Sequence, residues 1–485
     1  MTVGSPYASA IPDSEDATSP AGVLLNDVHS QLNPTTVARV VKPSSTEELQ
    51  SAVTLTRREG RSISVAGGRH AMGGQQFGEA NVLVDTRGLG RVLSFDDEAG
   101  VITVEGGIQW PELIAYLNEA NGTRARPWGI VQKQTGADRL SIGGALACNA
   151  HGRGLALKPI IDQVRAFDLV DATGTTRTCS TAENPELFRL AIGGYGLFGI
   201  VSRVELRLRP RVKVERVVDL GETDDIIDRF EGRIRDGYLY GDFQYATDAG
   251  RDSFLRRGIF SCYRPVPAET PLTVNPTRFN PEDWARLTFY AHKYKGRAFQ
   301  VYSRRYLATS GQIYWADSQL SAAYVDNYHK DVDRAMKAKV PATEMISEIY
   351  ARRDELHAFM EEARAWLRKC HANVVYGTVR LIERDDQSFL AWARDRYACV
   401  IFNLHVEHTP AAIEAAGQAF RGLIDLGIAH GGSYYLTYHR WARKDQVEAC
   451  YPQMSNFLAL KKKYDPEEVF QSTWYRHYRQ MFAGT

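Results

Sequence analysis

Two glycine-rich segments, each set beside a strand-like run, constrain the fold of this chain more than any other feature. The first, Gly67-Gly68-Arg69-His70-Ala71-Met72-Gly73-Gly74, follows directly on Ser62-Ile63-Ser64-Val65-Ala66. The second runs Ser141-Ile142-Gly143-Gly144-Ala145-Leu146-Ala147-Cys148-Asn149-Ala150-His151-Gly152-Arg153-Gly154. Glycine lets backbone amides approach an anion with no Cβ in the way, and successive N–H groups form a concavity for phosphate. With a third cluster at 193–199, such loops can wrap an extended diphosphate. They equally fit tight turns in an α/β domain, and spacing alone leaves both readings open. Taken alone, His70 and His151 read as ordinary satisfied histidines.

The third cluster, Gly194-Tyr195-Gly196-Leu197-Phe198-Gly199, matches GxGxxG letter for letter. A dinucleotide fingerprint needs a strand before it and a helix after it. Here the helical segment 185–191 precedes and a strand follows, so a nicotinamide-binding Rossmann unit is excluded. Around these loops the pattern from 37 to 212 is α/β. Val37–Val41 reads as a strand, Ser45 and Glu48 as a capping box, and Leu49, Ala52, Val53 and Thr56 as one helix face. Strands are predicted at 81–85, 101–105, 164–171 and 201–208, with a helix from Trp110 to Asn121. From 213 to 430 glycine thins out and aromatics gather. Strands at 239–246, 253–262, 373–382 and 398–407, separated by helical stretches, predict a mixed or antiparallel sheet covered by helices. The predicted division is a flexible leader over 1–30, a first domain over 31–212, a second over 213–430, and a closing segment over 431–485.

The formal charge of +1 creates no general field for nucleic acid or an anionic membrane. Lys461-Lys462-Lys463 reads as a solvated helix face. The six cysteines are scattered without a CxxC pair, so no zinc site and no other metal is expected. The first twenty residues lack the basic start and apolar core of a secretory signal, and no run is apolar enough to span a membrane. A cytoplasmic protein with no nucleic-acid or membrane partner is expected; its oligomeric state is not legible.

Together the loops resemble the vanillyl-alcohol-oxidase or PCMH-type FAD-linked oxidoreductases. Gly67-Gly68-Arg69-His70-Ala71 is similar to the family's GxGHS pyrophosphate loop, with Arg69 for the second glycine and Ala71 for the serine. Gly143–Gly154, Asp168-Leu-Val-Asp-Ala-Thr-Gly, Pro185-Glu-Leu-Phe and Gly193–Leu208 continue the likeness in order, and Tyr464–Phe470 resembles the closing segment. The resemblance implies an α+β chain, with a two-subdomain FAD-binding domain under a cap domain whose sheet covers the isoalloxazine. It implies FAD linked covalently through His70, the position that carries the flavin in alditol-, gulonolactone- and cytokinin-oxidising members. A second link through cysteine is not expected, because Gly136-Ala137-Asp138-Arg139-Leu140 precedes the second loop.

The same resemblance implies cofactor contacts from Gly67, Gly68, Arg69, Ala71 and Met72. Gly136, Ser141, Gly143, Gly144, Ala147, Asn149 and Gly152 are expected from the second loop, and Gly199, Ile200 and Val201 from the third. His151 is expected to accept a hydroxyl proton, and Arg380 to stabilise reduced flavin or an alkoxide. Period two puts Asn403, His405 and Glu407 on one strand face, with Asn403 and His405 expected beside the substrate. Arg443 or Lys444 is expected over the flavin. Thr378 stands where polyol-oxidising members carry glutamate, which weakens a polyol specificity. The expected activity is hydride transfer from a CH–OH carbon of a sugar-, polyol-, lactone- or aromatic-alcohol-like small molecule, with O2 or another acceptor taking the electrons. The alternatives are an FAD-dependent reductase of a carbon–carbon double bond and a non-catalytic flavin-binding protein. The former lacks a nicotinamide motif, and the latter needs no polar wall of the Arg380, His405 and Lys444 kind. Tyr240, Phe243 and Tyr245 fit either a ring-stacking site or a core.

Overall fold

A computed structural model describes residues 17–19, 22–122, 126–320 and 328–483. Most of the expected leader, residues 1–16 and 20–21, lies outside them. Residues 22–30 belong to the fold. Gly22–Leu25 pairs with Thr35–Val37, and the buried Asp27 carboxylate accepts from the amides of His29, Ser30 and Gln31 at 3.1, 2.6 and 3.2 Å. A polar loop needs such an internal acceptor to stay ordered against protein.

The first glycine loop springs from a three-stranded parallel sheet, ordered Arg39–Val41, Val82–Asp85, Ile63–Ala66. The predicted strand 37–41 is two strands in two sheets, Thr35–Val37 and Arg39–Val41. Helix Thr46–Arg58 starts at Ser45, whose hydroxyl accepts from Glu48 N at 3.2 Å; Leu49, Val53 and Thr56 are buried. Only half of the capping box forms, because the Glu48 carboxylate accepts from Ser44 N at 2.8 Å. On the sheet's other side the closing segment returns: Ile63 N donates to Val469 O at 2.6 Å and Gln471 N to Ile63 O at 2.8 Å. Lys461, predicted to be solvated, is fully buried against Asp465, which also accepts from Val469 N and Phe470 N. Lys462 and Lys463 are exposed.

A second, antiparallel sheet carries the third glycine cluster, in the order Thr176–Ser180, Val164–Val170, Ile200–Arg207, Val101–Glu105, Val92–Asp96. The GxGxxG stretch lies between helix Pro185–Ala191 and strand Ile200–Arg207, as predicted.

The aromatic-rich region forms an eight-stranded sheet, and every pair in it is antiparallel. The order is Ile313–Trp315, Lys213–Glu222, Arg257–Val266, Tyr240–Tyr245, Val374–Ile382, Tyr397–Glu407, Ala342–Arg352, Ser433–Tyr434. Strands 213–222 and 342–352 escaped the sequence reading, because charges interrupt their apolar alternation. Register shows two unlike faces. Phe260, Phe243, Val379, Val400 and Ile349 stand opposite one another across five strands. Helices Leu356–Lys369 and Pro410–Ala429 cover that apolar face, and Phe230 of helix Ile226–Arg235 meets Phe260 edge-on at 4.9 Å. The other face carries Ser261, Asp242, Thr378, Arg380, Asn403, His405, Glu344 and Glu348. It lies toward helices Pro281–Lys293 and Lys295–Leu307, where Tyr302 OH donates to Gln244 Oε1 at 2.6 Å. Tyr240, Phe243 and Tyr245 are all buried core residues, with the Tyr245 hydroxyl spent on Ile401 O. Among the described residues no helix is long and apolar enough to cross a membrane.

Candidate active site

The three glycine segments close on one long cavity, roofed by Ile346, Glu348 and Arg380 of the large sheet and by Tyr435, Thr437 and Tyr438 of the closing segment. At its narrow side the loops touch. A Cβ on Gly67 would lie 2.1 Å from Ser141 Oγ, and one on Gly68 would lie 2.2 Å from Arg139 O, so only glycine fits. Arg69 has φ of 57°, a left-handed conformation that glycine adopts most readily, at the place of the second glycine of the GxGHS pattern.

Of the expected cofactor contacts, Gly67, Gly68, Arg69, His70, Ala71, Met72, Gly136, Ser141, Gly143, Gly144, Ala147, Gly199, Ile200 and Val201 line this cavity. Asn149 and Gly152 are turned into the protein behind it. Asn149 Nδ2 donates to Asp385 Oδ2 at 2.8 Å and its Oδ1 accepts from Ile161 N, while Gly152 N donates to Gln132 Oε1. They hold the loop's shape.

His70 Nδ1 stands 2.8 Å from His29 Nε2. Burial, and then the neighbouring His29, push the His70 imidazolium well below the usual histidine range, so its ring is neutral. His29 also lines the cavity. It escaped the sequence reading because it fell within the expected leader.

Deeper in, His151 Nε2 meets Glu348 Oε2 at 2.7 Å, and Tyr438 OH donates to Glu348 Oε1 at 2.5 Å. Cys399 Sγ donates to Glu348 Oε2 at 3.2 Å. Burial alone would raise the Glu348 pKa; His151, Arg380 and Tyr438 outweigh it and hold the carboxyl at about 2. The Trp392 ring lies 4.9 Å from the His151 ring and fixes its plane. Arg380 is buried in the roof, and its Nε has no hydrogen-bond partner within the protein. Glu348 was not anticipated. Its signal is a second carboxylate, two side-chain steps along the same face from Glu344, among Met345, Ile346, Ile349 and Tyr350.

The other expected site residues do not line this cavity. Asn403 stands opposite Ile346, on the strand between those of Arg380 and Glu348, and His405 stands farther along, 3.5 Å from Glu344. Arg443 is on the outer surface, paired with Asp425 and Asp445 at 2.8 and 2.9 Å. Lys444 lies near Glu448 and over the Phe482 ring. Arg443 forms the N-cap of helix Lys444–Cys450, and this turns both side chains away from the cavity.

The cavity fits the FAD expected from the resemblance. The glycine loops give it a wall of backbone and small side chains that could hold a diphosphate, and Arg380, whose Nε has no partner within the protein, and the ionised Glu348 line it too. Comparison with known proteins agrees. Residues 37–180 match the family profile described as FAD binding domain, and residues 298–478 match that of D-arabinono-1,4-lactone oxidase. The chain is 24% identical over 444 residues to the L-gulono-1,4-lactone dehydrogenase of Mycobacterium tuberculosis, covering 90% of this chain and 95% of that one. It is 25% identical over 194 residues to the L-gulonolactone oxidase of Bos taurus, covering 40% and 42%. It is 27% identical over 170 residues to a putative D-arabinono-1,4-lactone oxidase of Neurospora crassa, covering 35% and 29%. With its glycine loops and polar roof around a single cavity, the chain belongs to the PCMH-type FAD-linked oxidoreductases and is an FAD-dependent enzyme.

Proposed function

We propose that this enzyme oxidises a CH–OH carbon of a polyhydroxylated, sugar-lactone-like substrate held between the flavin and the polar face of the large sheet. The observation that carries this reading is that face itself. Asp242 Oδ1, Ser261 Oγ, Thr378 Oγ1, Asn403 Oδ1 and Arg380 Nε are buried there without a hydrogen-bond partner within the protein. Each such group costs about 1–3 kcal/mol unless something bonds it, and a ligand rich in hydroxyls does so. The names of the relatives, lactone oxidases and dehydrogenases, point to the same class.

FAD, when bound, supplies the hydride acceptor. This chain's residues handle the rest. His151, held between Gly152 O and Glu348, orients the reacting hydroxyl, the ionised Glu348 takes up its proton, and Arg380 stabilises the alkoxide that develops. Asn403 and Thr378 bind further hydroxyls. The neutral ring of His70, held by His29, carries the covalent link to FAD. Residues 31–212 are the FAD-binding domain, with the parallel and the antiparallel sheet as its two halves. Residues 213–430 are the cap, residues 431–485 rejoin the FAD domain, and the leader ahead of residue 31 ends in the docked loop of His29. Arg443 and Lys444 serve surface ion pairs.

The test is anaerobic mixing with aldonolactones, sugars, polyols and benzylic alcohols, followed by bleaching of the flavin. Re-oxidation by O2 and by an artificial acceptor then separates oxidase from dehydrogenase. Bleaching by benzylic alcohols alone, or by no alcohol, refutes the substrate class. Acid precipitation tests the link: flavin stays with the pellet in the wild type and passes to the supernatant in His70→Ala. Free flavin from the wild type refutes it.

A further inference from the structure

A second cluster on the same sheet face lies outside the roof of the cavity. His292 of helix Pro281–Lys293, Glu344 of strand Ala342–Arg352 and His405 of strand Tyr397–Glu407 bring three ligand atoms within 4.8 Å of one another. His292 Nε2 stands 2.8 Å from Glu344 Oε1, and His405 Nδ1 stands 3.5 Å from the same oxygen. The two rings meet edge-on, with centroids 4.8 Å apart and planes at 82°.

We propose that these three side chains bind a divalent transition-metal ion of the zinc or manganese kind, which clips the helix to the sheet. The tautomer carries the argument. His292 Nδ1 is 2.8 Å from Thr288 O, a carbonyl that can only accept, so the ring's one proton is on Nδ1. Nε2 then presents a lone pair to a carboxylate oxygen, a contact that coheres only around a positive charge. A second ring proton would serve His292 alone. The separation of 3.5 Å at His405 is too long for a good hydrogen bond. Three ligands about 2.1 Å from one ion, by contrast, stand about 3.0–3.4 Å apart between octahedral and tetrahedral angles. The two observed separations, 2.8 and 3.5 Å, bracket that range. An ion also satisfies both rings in their neutral form, where two imidazoliums side by side would repel.

The hydrogen bond from His292 Nδ1 to a backbone carbonyl is the outer-shell contact that metal-bound histidines usually make. Tyr328 OH donates to the other carboxylate oxygen, Oε2, and leaves Oε1 for the ion. The His405 side chain is 19% exposed, so water can fill the remaining coordination positions. The His151–Glu348 pair differs. There His151 Nδ1 also faces a carbonyl, Gly152 O at 3.1 Å, but the Cys399 thiol and the Tyr350 and Tyr438 hydroxyls all donate to the carboxylate, so protein donors already fill it. The absence of a CxxC pair argues against a zinc-finger-type site and places no limit on one made of imidazole and carboxylate.

The test uses flavin-loaded enzyme stripped with EDTA, exposed to Zn2+ or Mn2+ alone, desalted, and analysed for metal by mass spectrometry. Wild type is expected to retain about one ion per chain, and His292→Ala and Glu344→Gln to lose about tenfold or more. The exposed His357→Ala should keep the ion. Bound flavin per chain reports that each variant has folded, and because metal content is read without turnover, the result is independent of the substrate reading. Wild type without metal, or folded variants that keep it, overturns the proposal. Should both variants fail to fold, Co2+ added to wild type decides. Intense d–d bands to the red of the flavin support the site, and the weak spectrum of hydrated Co2+ overturns it.

Discussion

The two faces of the large sheet are built from the same strands and are both buried, yet they behave as different materials. On one, Phe260, Phe243, Val379, Val400 and Ile349 line up under helices, and each side chain is spent on packing. On the other, carboxylates, a guanidinium and hydroxyls are buried with part of their hydrogen-bonding capacity unused. Stability is concentrated on the first face and held in reserve for a ligand on the second. A protein interior tolerates such a face only where something else completes it.

This contrast can be broken in four ways. Glu348→Gln removes the charge that pairs with His151, and substrate-driven flavin bleaching is expected to slow by about 10^2–10^4-fold. Stopped-flow absorbance measures this, and a wild-type rate would remove Glu348 from the proposed mechanism. Phe402→Ala on the packed face should cost about 3–5 kcal/mol of unfolding free energy. Its neighbour Asn403→Ala on the polar face should leave denaturant unfolding nearly unchanged while raising KM; equal destabilisation of the two would erase the distinction between faces.

The pH response sharpens the comparison further. Glu348 titrates at about 2 in the folded protein, below the ordinary carboxylate range. Its stabilisation is therefore complete above the unfolded value near 4.5 and is lost as pH falls from there toward 2. Thermal unfolding across that window should show a steep decline that Glu348→Gln flattens; an unaltered slope would mean the carboxyl is not held ionised. The smallest effect is expected for Thr378→Val. Without ligand it is neutral, or stabilising by up to about 1 kcal/mol, because a buried unpartnered hydroxyl is removed. KM should rise. A marked loss of stability would show that the hydroxyl has a partner within the protein.

The strands near 239–246, 373–382 and 398–407 and the glycine loops were legible in the sequence for one reason: local pattern dictates them. Period two placed Asn403 and His405 on one face, and Gly67, Gly68 and His70 line the cavity that their motif implied. What stayed hidden depends on partners distant in the chain. Lys461 looks solvated until Asp465 and the returning strand bury it. Glu348 looks like a surface charge until His151, Tyr438 and Arg380 surround it. His29 sits in a polar stretch whose order comes from the Asp27 carboxylate, and composition suggested only a leader. Arg443 and Lys444 were expected at the cavity because their segment resembles one that reaches it, and a cap position turned them outward.

The return of Val469–Gln471 to Ile63 also sets a timetable. The strand that launches the first glycine loop is made early by the ribosome, and its neighbour emerges roughly four hundred residues later. Until then that edge of the parallel sheet presents open amides and carbonyls, the kind of surface that recruits chaperones or a wrong strand.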